Sequence, residues 1–168
     1  MLLTDALRLA AGGLLAVAGA ASGLAAKRIY SERARFYADV CEFAEVAEKE
    51  ISFLKTPLKD IIDKFISAHG AHNSEFARIL KTHGECLRKG NRLKIESKYV
   101  RREEAEEIET FLNLLGKNDY ARTLKDLSVY RESFGRTLVK KEEEAKRLGG
   151  MYFKLLTLLG VALMIIVA

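Results

Sequence analysis

The sequence has little of what a disulfide-stabilised or sheet-rich protein needs. It contains one proline, no tryptophan and two cysteines, Cys41 and Cys86, which lie far apart in the chain. Such a pair forms neither a disulfide framework nor a metal cluster, and it suits a reducing compartment. Helix breakers are scarce while charged residues make up 30% of the chain, so we predict an all-α fold.

The sequence also lacks the short motifs of common enzyme chemistry. It has no G-x-x-x-x-G-K-[ST] phosphate loop, no G-x-S-x-G elbow and no H-E-x-x-H zinc motif. His69, His72 and His83 do not have the spacing of a tetrahedral site, and His69 and His83 fall on apolar stripes. We therefore predict no catalytic residue, no cofactor and no metal, and packing roles for both cysteines.

Both ends of the chain are apolar. No charged residue lies between Leu9 and Ala26, a length close to the roughly 17 to 25 residues that cross a bilayer as a helix. The run from Leu155 to Ala168 is shorter, but its apolar residues cover every face of a helix. We predict transmembrane helices at residues 1–26 and 151–168, with a helical domain at residues 27–150 between them.

Alternatives remain open at both ends. Ala18-Gly19-Ala20 resembles a signal-peptide cleavage site, although the basic region that should precede the apolar run is nearly missing. The C-terminal run also has the length of a buried core helix. If the first segment is retained in the membrane, Gly19 and Gly23 have the GxxxG spacing that lets a second helix approach closely.

Basic residues flank the apolar ends on their inner sides. These residues are Lys27, Arg28, Arg33, Arg35, Lys140, Lys141, Lys146 and Arg147. The outer flanks offer only Arg8 and the amino terminus. Positive charge stays on the cytoplasmic side of a membrane, so we predict two spans in the lipid bilayer of the cell membrane and a cytoplasmic middle.

Apolar residues recur every three or four positions through the middle, which indicates amphipathic helices. The predicted stripes are Phe36, Val40, Phe43, Ala47, Ile51 and Leu54; Leu58, Ile61, Ile62, Phe65, Ile66 and His69; Phe76, Ile79, Leu80, His83 and Leu87; Ala105, Ile108, Leu112 and Leu115; and Tyr120, Leu124, Leu127, Tyr130 or Arg131, Phe134 and Leu138. Helices joined by short turns must bury their stripes against one another, so we predict an antiparallel helical bundle.

Local signals mark the ends of these helices. The first is predicted to end near Lys55, before a second with Thr56 as N-cap and Pro57 as its first residue. The remaining predicted boundaries are Gly70, Asn73 or Ser74, Gly90-Asn91, Gly116 as a C-cap, and Asn118 or Asp119 as an N-cap.

A basic stretch is followed at once by an acidic one. The basic residues are Arg88, Lys89, Arg92, Lys94, Lys98, Arg101 and Arg102, and the acidic ones are Glu103, Glu104, Glu106, Glu107 and Glu109. One interpretation is a solvated face with internal i, i+4 ion pairs. A second is a docking patch for an acidic partner or for anionic lipid headgroups. Nucleic acid is disfavoured, because neither interleaved aromatics nor a nucleic-acid motif accompanies the charge.

Three short features follow one another in a set order. They are Thr56-Pro57-Leu58, then Leu115-Gly116 with Asp119 three residues after the glycine, and then a charged run that ends in the apolar stretch from Lys154 to Gly160. Their order and spacing resemble those of the stage III sporulation protein AB family. The chain departs from the family at Thr123, where members tend to carry glutamine, and in residues 69–98.

The resemblance implies a non-enzymatic platform or adaptor subunit of a sporulation-specific, secretion-like channel complex. It implies a domain similar to the cytoplasmic domains of type II secretion F proteins, on the mother-cell side. The implied partners are an ATPase similar to stage III sporulation protein AA and other membrane subunits of the channel. The charge pattern alone leaves an alternative, a membrane-anchored protein that tethers lipid surfaces or nucleic acid through residues 88–102.

Overall fold

Helices dominate the structure. The computed structural model describes the backbone of residues 2–54, 56–69, 74–115 and 120–167, with side chains throughout these ranges except at residues 2–10, 69, 120–122 and 167. It is 90% helical, and no strand occurs in the ranges it describes. The prediction of an all-α fold is therefore confirmed.

The described helices follow one another with few irregular residues between them. They are α1 (Leu2–Lys49), α2 (Leu58–His69), α3 (Glu75–Lys89), α4 (Arg102–Leu115), α5 (Tyr120–Glu144) and α6 (Gly150–Val167). Two π-helical turns extend this set, one at Glu50–Leu54 after α1 and one at Ala145–Gly149 between α5 and α6. The longest irregular stretch that the structure describes lies between α3 and α4.

The chain divides into two compact units. One comprises Met1–Ala34 with Lys140–Ala168, and the other comprises Arg35–Val139. We call them the terminal unit and the central unit. The boundaries predicted at residues 26/27 and 150/151 mark where the chain is expected to enter the membrane, and they stay predictions.

An aromatic cluster forms the middle of the central unit. Phe43 of α1 is fully buried and meets Phe65, Phe76 and Phe111 edge to face, with ring centroids 5.3, 5.8 and 6.4 Å apart. Phe111 in turn packs on Phe134 of α5 at 5.2 Å. Each such pair contributes about 0.5 to 1.5 kcal/mol beyond the burial of its area. One connected cluster therefore holds the helices of this unit together.

Among the described stripe residues most lie in or against this core, whereas Leu54 and Leu87 do not. Leu54 is 66% exposed and Leu87 is 38% exposed, so their assignment to the core was wrong. Leu54 lies in the first π-helical turn, where the wider turn rotates the stripe away from the core. Leu87 lies in the last turn of α3. Of the two alternatives predicted for the stripe of α5, Tyr130 packs against the core. The Arg131 guanidinium instead pairs with the Glu48 carboxylate at 3.1 Å.

The helix ends agree with the predictions at α3 and differ at α2. Ser74 caps α3 because its Oγ accepts the Ala77 N–H at 3.4 Å, and Gly90 ends it with φ of 68°. Both predictions are confirmed. Thr56 is not the N-cap of α2. Its hydroxyl instead donates to the Glu50 carboxylate at 2.7 Å, and α2 begins at Leu58, one residue later than predicted.

Some predicted boundaries and stripe residues fall outside the described part of the chain. They are Lys55, Gly70, Asn73, Gly116, Asn118 and Asp119, together with the side chains of His69 and Tyr120.

The C-terminal part of the chain has the character of a membrane span. Among the residues described with side chains, one helix, Thr123–Ile166, is long and apolar enough to cross a membrane, and 11% of its apolar window is buried. Leu158 and Ile166 of α6 are 66% and 78% exposed. This exposure argues against the alternative of a buried core helix. The first predicted span begins in residues whose side chains are not described, so two spans remain a prediction.

Candidate functional site

Basic side chains lie along the connection between α3 and α4. We call residues 88–102 the basic segment. Arg88 and Lys89 end α3, and Arg102 begins α4. All seven predicted patch residues are exposed. The sequence places these charges together, and the structure shows how the segment is held.

The middle of the basic segment, residues 91–97, contains no helix or turn and is anchored on α4. The N–H of Leu93 donates to Asn113 Oδ1 at 3.3 Å, and the N–H of Ile95 donates to Glu109 Oε1 at 2.5 Å. The Leu93 and Ile95 side chains are buried, with 4% and 3% exposure. Lys94 and Glu96 are exposed, so burial alternates from residue 93 to residue 96, and this alternation indicates an extended chain.

The acidic run on α4 serves mainly as a row of hydrogen-bond acceptors. Glu109 accepts the N–H of Ile95, as described above. Glu104 accepts the N–H of Arg101 at 3.0 Å, which is one half of a capping box. Glu107 accepts the hydroxyl of Ser133 on α5 at 2.7 Å. The i, i+4 pairing of the first interpretation is found between Arg102 and Glu106, at 2.8 Å. The acidic run thus fixes the backbone more than it neutralises the patch.

Much of the positive charge on the basic segment is left without an acidic partner. Lys94 lies 3.6 Å from Glu96, but both side chains are largely exposed and such a pair contributes little. Lys98 Nζ lies 4.9 Å from the centroid of the Tyr99 ring. Within the described residues, ion pairs are absent at Arg88, Lys89, Arg92 and Arg101. The segment therefore presents an exposed array of cations.

A shallow groove runs along each side of the extended residues. The first, about 270 Å³, lies between the segment and α3 and is lined by Arg78, Ile79, Thr82 and residues 93–96. The second, about 370 Å³, lies over α4 and includes Glu109 and Asn113, which anchor the segment. The backbone of the basic segment is thus accessible beside its charges.

Burial disfavours the charged forms of two titratable groups in the central unit, His83 and Cys41. His83 is 1% exposed, and neither ring nitrogen makes a hydrogen bond of good geometry within the described residues. Burial lowers its pKa, and the Leu112 backbone only partly opposes this. Burial, and then the charge of Glu45, raise the pKa of Cys41 to about 11. That pKa argues against a reactive thiol at Cys41.

Metal ligation has no support in the part of the chain that the structure describes. No group of three His, Cys, Asp or Glu side chains there lies close enough to hold an ion. The ring of His83 faces the core, while His72 and the side chain of His69 lie outside the described residues.

The glycine pair in the terminal unit lies at a close helix contact. A Cβ added at Gly19 would lie 2.7 Å from the Leu156 carbonyl oxygen and 2.8 Å from the Cα of Gly160. A Cβ at Gly23 would lie 3.0 Å from the Phe153 carbonyl oxygen. The contacts run in opposite directions along α1 and α6, so the two helices pack antiparallel. Gly19 and Gly23 therefore contact a helix of the same chain.

The family-like motif residues have structural positions. Leu115 is 9% exposed and belongs to the core, Leu58 packs against it, and Pro57 is exposed. The Pro57 carbonyl accepts the N–H groups of Asp60 and Ile61 at 3.0 and 3.2 Å, which starts α2. Gly116 and Asp119 lie outside the described residues.

Comparison with known families supports the resemblance drawn from these motifs. The family model described as stage III sporulation protein AB matches residues 8–168, which is nearly the whole chain. The search of curated proteins and the search of solved structures each found no match.

Proposed function

Because the chain belongs to the stage III sporulation protein AB family, we propose that it is a membrane platform or adaptor subunit of a sporulation-specific, secretion-like channel complex. The family is not a known enzyme family. In this proposal the central unit docks a cytoplasmic ATPase similar to stage III sporulation protein AA. The terminal unit anchors the protein in the membrane and contacts other membrane subunits.

The terminal unit supports the anchoring part of the proposal. An antiparallel pair of α1 and α6 sends the intervening chain to one side of a bilayer. The basic residues at the inner ends of this pair, among them Lys27 and Arg147, favour the cytoplasmic side. We infer two spans, with the central unit on the mother-cell side.

The observation that carries the docking part is the array of exposed cations on the basic segment, of which Arg88, Lys89, Arg92 and Arg101 have no ion-pair partner among the described residues. These cations stand on a backbone that two hydrogen bonds to α4 hold in place. A backbone that is already ordered lowers the entropy cost of binding, and complementary charge steers the encounter. An acidic surface on the ATPase fits this array.

Charge reversal tests the docking surface. The full-length protein in nanodiscs is mixed with the purified ATPase at low salt, where basic contacts are strongest. Replacing Arg88, Arg92 and Arg101 by glutamate should weaken binding by about tenfold or more.

The matched control reverses three exposed lysines elsewhere on the central unit, Lys49, Lys59 and Lys125. Both triple variants change the net charge equally, so only the position of the charge differs. The control should bind within about twofold of the wild type. Equal losses in the two variants, or no binding at low salt, would refute docking through the basic segment.

The same cations support a second candidate, a tether for anionic lipid surfaces or for nucleic acid. Vesicles rich in phosphatidylserine and single-stranded RNA separate it from the first, using the same two triple variants. Binding to either that exceeds ATPase binding, with a strong salt dependence from counterion release, would favour the tether.

A further inference from the structure

The extended part of the basic segment has one satisfied edge and one open edge. The N–H groups of Leu93 and Ile95 point to the same side and are bound by α4. Successive N–H groups of an extended chain point to opposite sides, so those of Lys94 and Glu96 point away from α4. Within the described residues no hydrogen bond reaches either of them. Such an edge is a template for strand pairing.

Space for a second strand exists beside this open edge. The groove of about 270 Å³ lies between the segment and α3, along residues 93–96. Four extended residues span about 13 Å, and a paired strand lies about 4.8 Å away. Ile79, 7% exposed, lines the groove together with Arg78 and Thr82. A strand placed there would find open N–H groups on one side and an apolar contact beneath.

We propose that residues 92–97 form a docking edge to which an extended acidic segment of a partner protein adds as a β-strand. Main-chain hydrogen bonds would supply affinity, as in other strand additions. Arg88 and Arg92, which have no ion-pair partner in the described part of the chain, would select carboxylates. Lys94 would do so after exchanging its weak pair with Glu96. Lipid headgroups carry no strand of amides to match this edge, so the geometry favours a protein. The proposal rests on the proposed function, that the central unit docks a partner.

A pair of substitutions at Lys94 separates the contribution of its backbone N–H from that of its positive charge. Lys94→Ala and Lys94→Pro both remove the ammonium group, but only proline removes the open N–H. Proline is tolerated at edge positions whose N–H faces solvent. The probe is a fluorescent synthetic peptide of alternating valine and glutamate, added to the full-length protein in nanodiscs of zwitterionic lipid. We expect Lys94→Pro to bind about fivefold more weakly than Lys94→Ala.

Hydrogen exchange gives a second measurement. Bound peptide should slow exchange at the amides of Lys94 and Glu96, while those of Leu93 and Ile95, already bonded to α4, should change little. A peptide of the same sequence with alternate amides N-methylated should lose this protection. Equal affinities of the two Lys94 variants, unprotected amides at positions 94 and 96, or no binding of the peptide would overturn the proposal.

The outcomes also separate this proposal from the proposed function. If ATPase binding depends on the basic segment but is equal in the two Lys94 variants, the docking function stands and strand addition fails. If the peptide binds Lys94→Pro more weakly than Lys94→Ala and the ATPase does not bind at all, strand addition is supported and the ATPase is not the partner. Should Lys94→Pro unfold on heating well below the wild type, Glu96→Ala and Glu96→Pro replace the pair. The N-methylated peptide decides the question without any variant.

Discussion

The contact between α1 and α6 predicts opposite effects of one substitution at two glycines of the same helix. A Cβ at Gly19 would lie 2.7 Å from the Leu156 carbonyl oxygen, whereas one at Gly13 would meet nothing within 4 Å. Restoring ordinary contact at 3.4 Å requires α1 and α6 to separate by about 0.7 Å, which forfeits a quarter to a half of the dispersion energy of the atoms involved. Overpacking of this kind costs about 1 to 3 kcal/mol.

We therefore expect Gly19→Ala to destabilise the helix pair by about 1 to 3 kcal/mol. Gly13→Ala should be neutral or should stabilise it by up to about 1 kcal/mol, because alanine favours the helix. Backbone atoms cause the contact at Gly19, so no rotamer change of a neighbour relieves it.

Cross-linking across the helix pair measures this effect. The rings of Tyr30 and Tyr152 are stacked with centroids 5.9 Å apart, so cysteines at these positions, in a background without Cys41 and Cys86, can be joined by a flexible bifunctional thiol reagent and report on the pairing. Cross-link yield is followed as SDS is added to mild detergent micelles. The midpoint should fall for Gly19→Ala and not for Gly13→Ala. Equal midpoints, or a larger fall for Gly13→Ala, would refute the packing of α1 on α6.

Three further predictions concern the central unit, each measured as a free energy of unfolding in urea. Phe43→Ala should cost about 3 to 5 kcal/mol, whereas Phe53→Ala, at a side chain 83% exposed, should cost less than about 0.5 kcal/mol. Glu109→Ala leaves the Ile95 N–H without its acceptor and should lower the free energy of unfolding by about 1 to 3 kcal/mol. The control Glu103→Ala, at an exposed side chain, should leave it almost unchanged. The buried His83 has a lowered pKa in the folded protein, so as the pH falls its imidazole takes up a proton in the unfolded chain before it does so in the folded one. Stability should be full above about pH 6.5 and should fall below it by up to about 1.4 kcal/mol per pH unit. His83→Leu should remove that part of the slope, and an unchanged slope would contradict this origin.

Local chemistry was predictable wherever the controlling contacts are local. Ser74 caps α3 through an N–H three residues away, and Gly90 ends α3 because glycine tolerates its φ of 68°. Thr56 shows the limit of such reasoning. It has the residue type of an N-cap, but the Glu50 carboxylate takes its hydroxyl. A π-helical turn likewise moved Leu54 out of the stripe that simple helical periodicity predicts.

The basic segment shows why its arrangement could not be derived in the same way. Leu93 and Ile95 are two apolar residues among charges, too few to establish a period. Their acceptors lie 20 and 14 residues further along the chain. The glutamates of α4 suggested ion pairs, because a sequence reveals which side chains carry charge but not which amides face them. The sequence does alternate there between charged and apolar residues, from Arg92 to Glu96, but over too short a stretch to predict these contacts.

The sequence by itself determined the helical class, the apolar ends, most of the core stripes and the family. These follow from residue composition, from a period of 3.6 and from capping within a few residues. Only the tertiary structure decided that Gly19 and Gly23 lie against α6, that the acidic run binds backbone amides, and that the N–H groups of Lys94 and Glu96 have no acceptor among the described residues. Each of these depends on which distant groups meet, and that is settled when the helices pack.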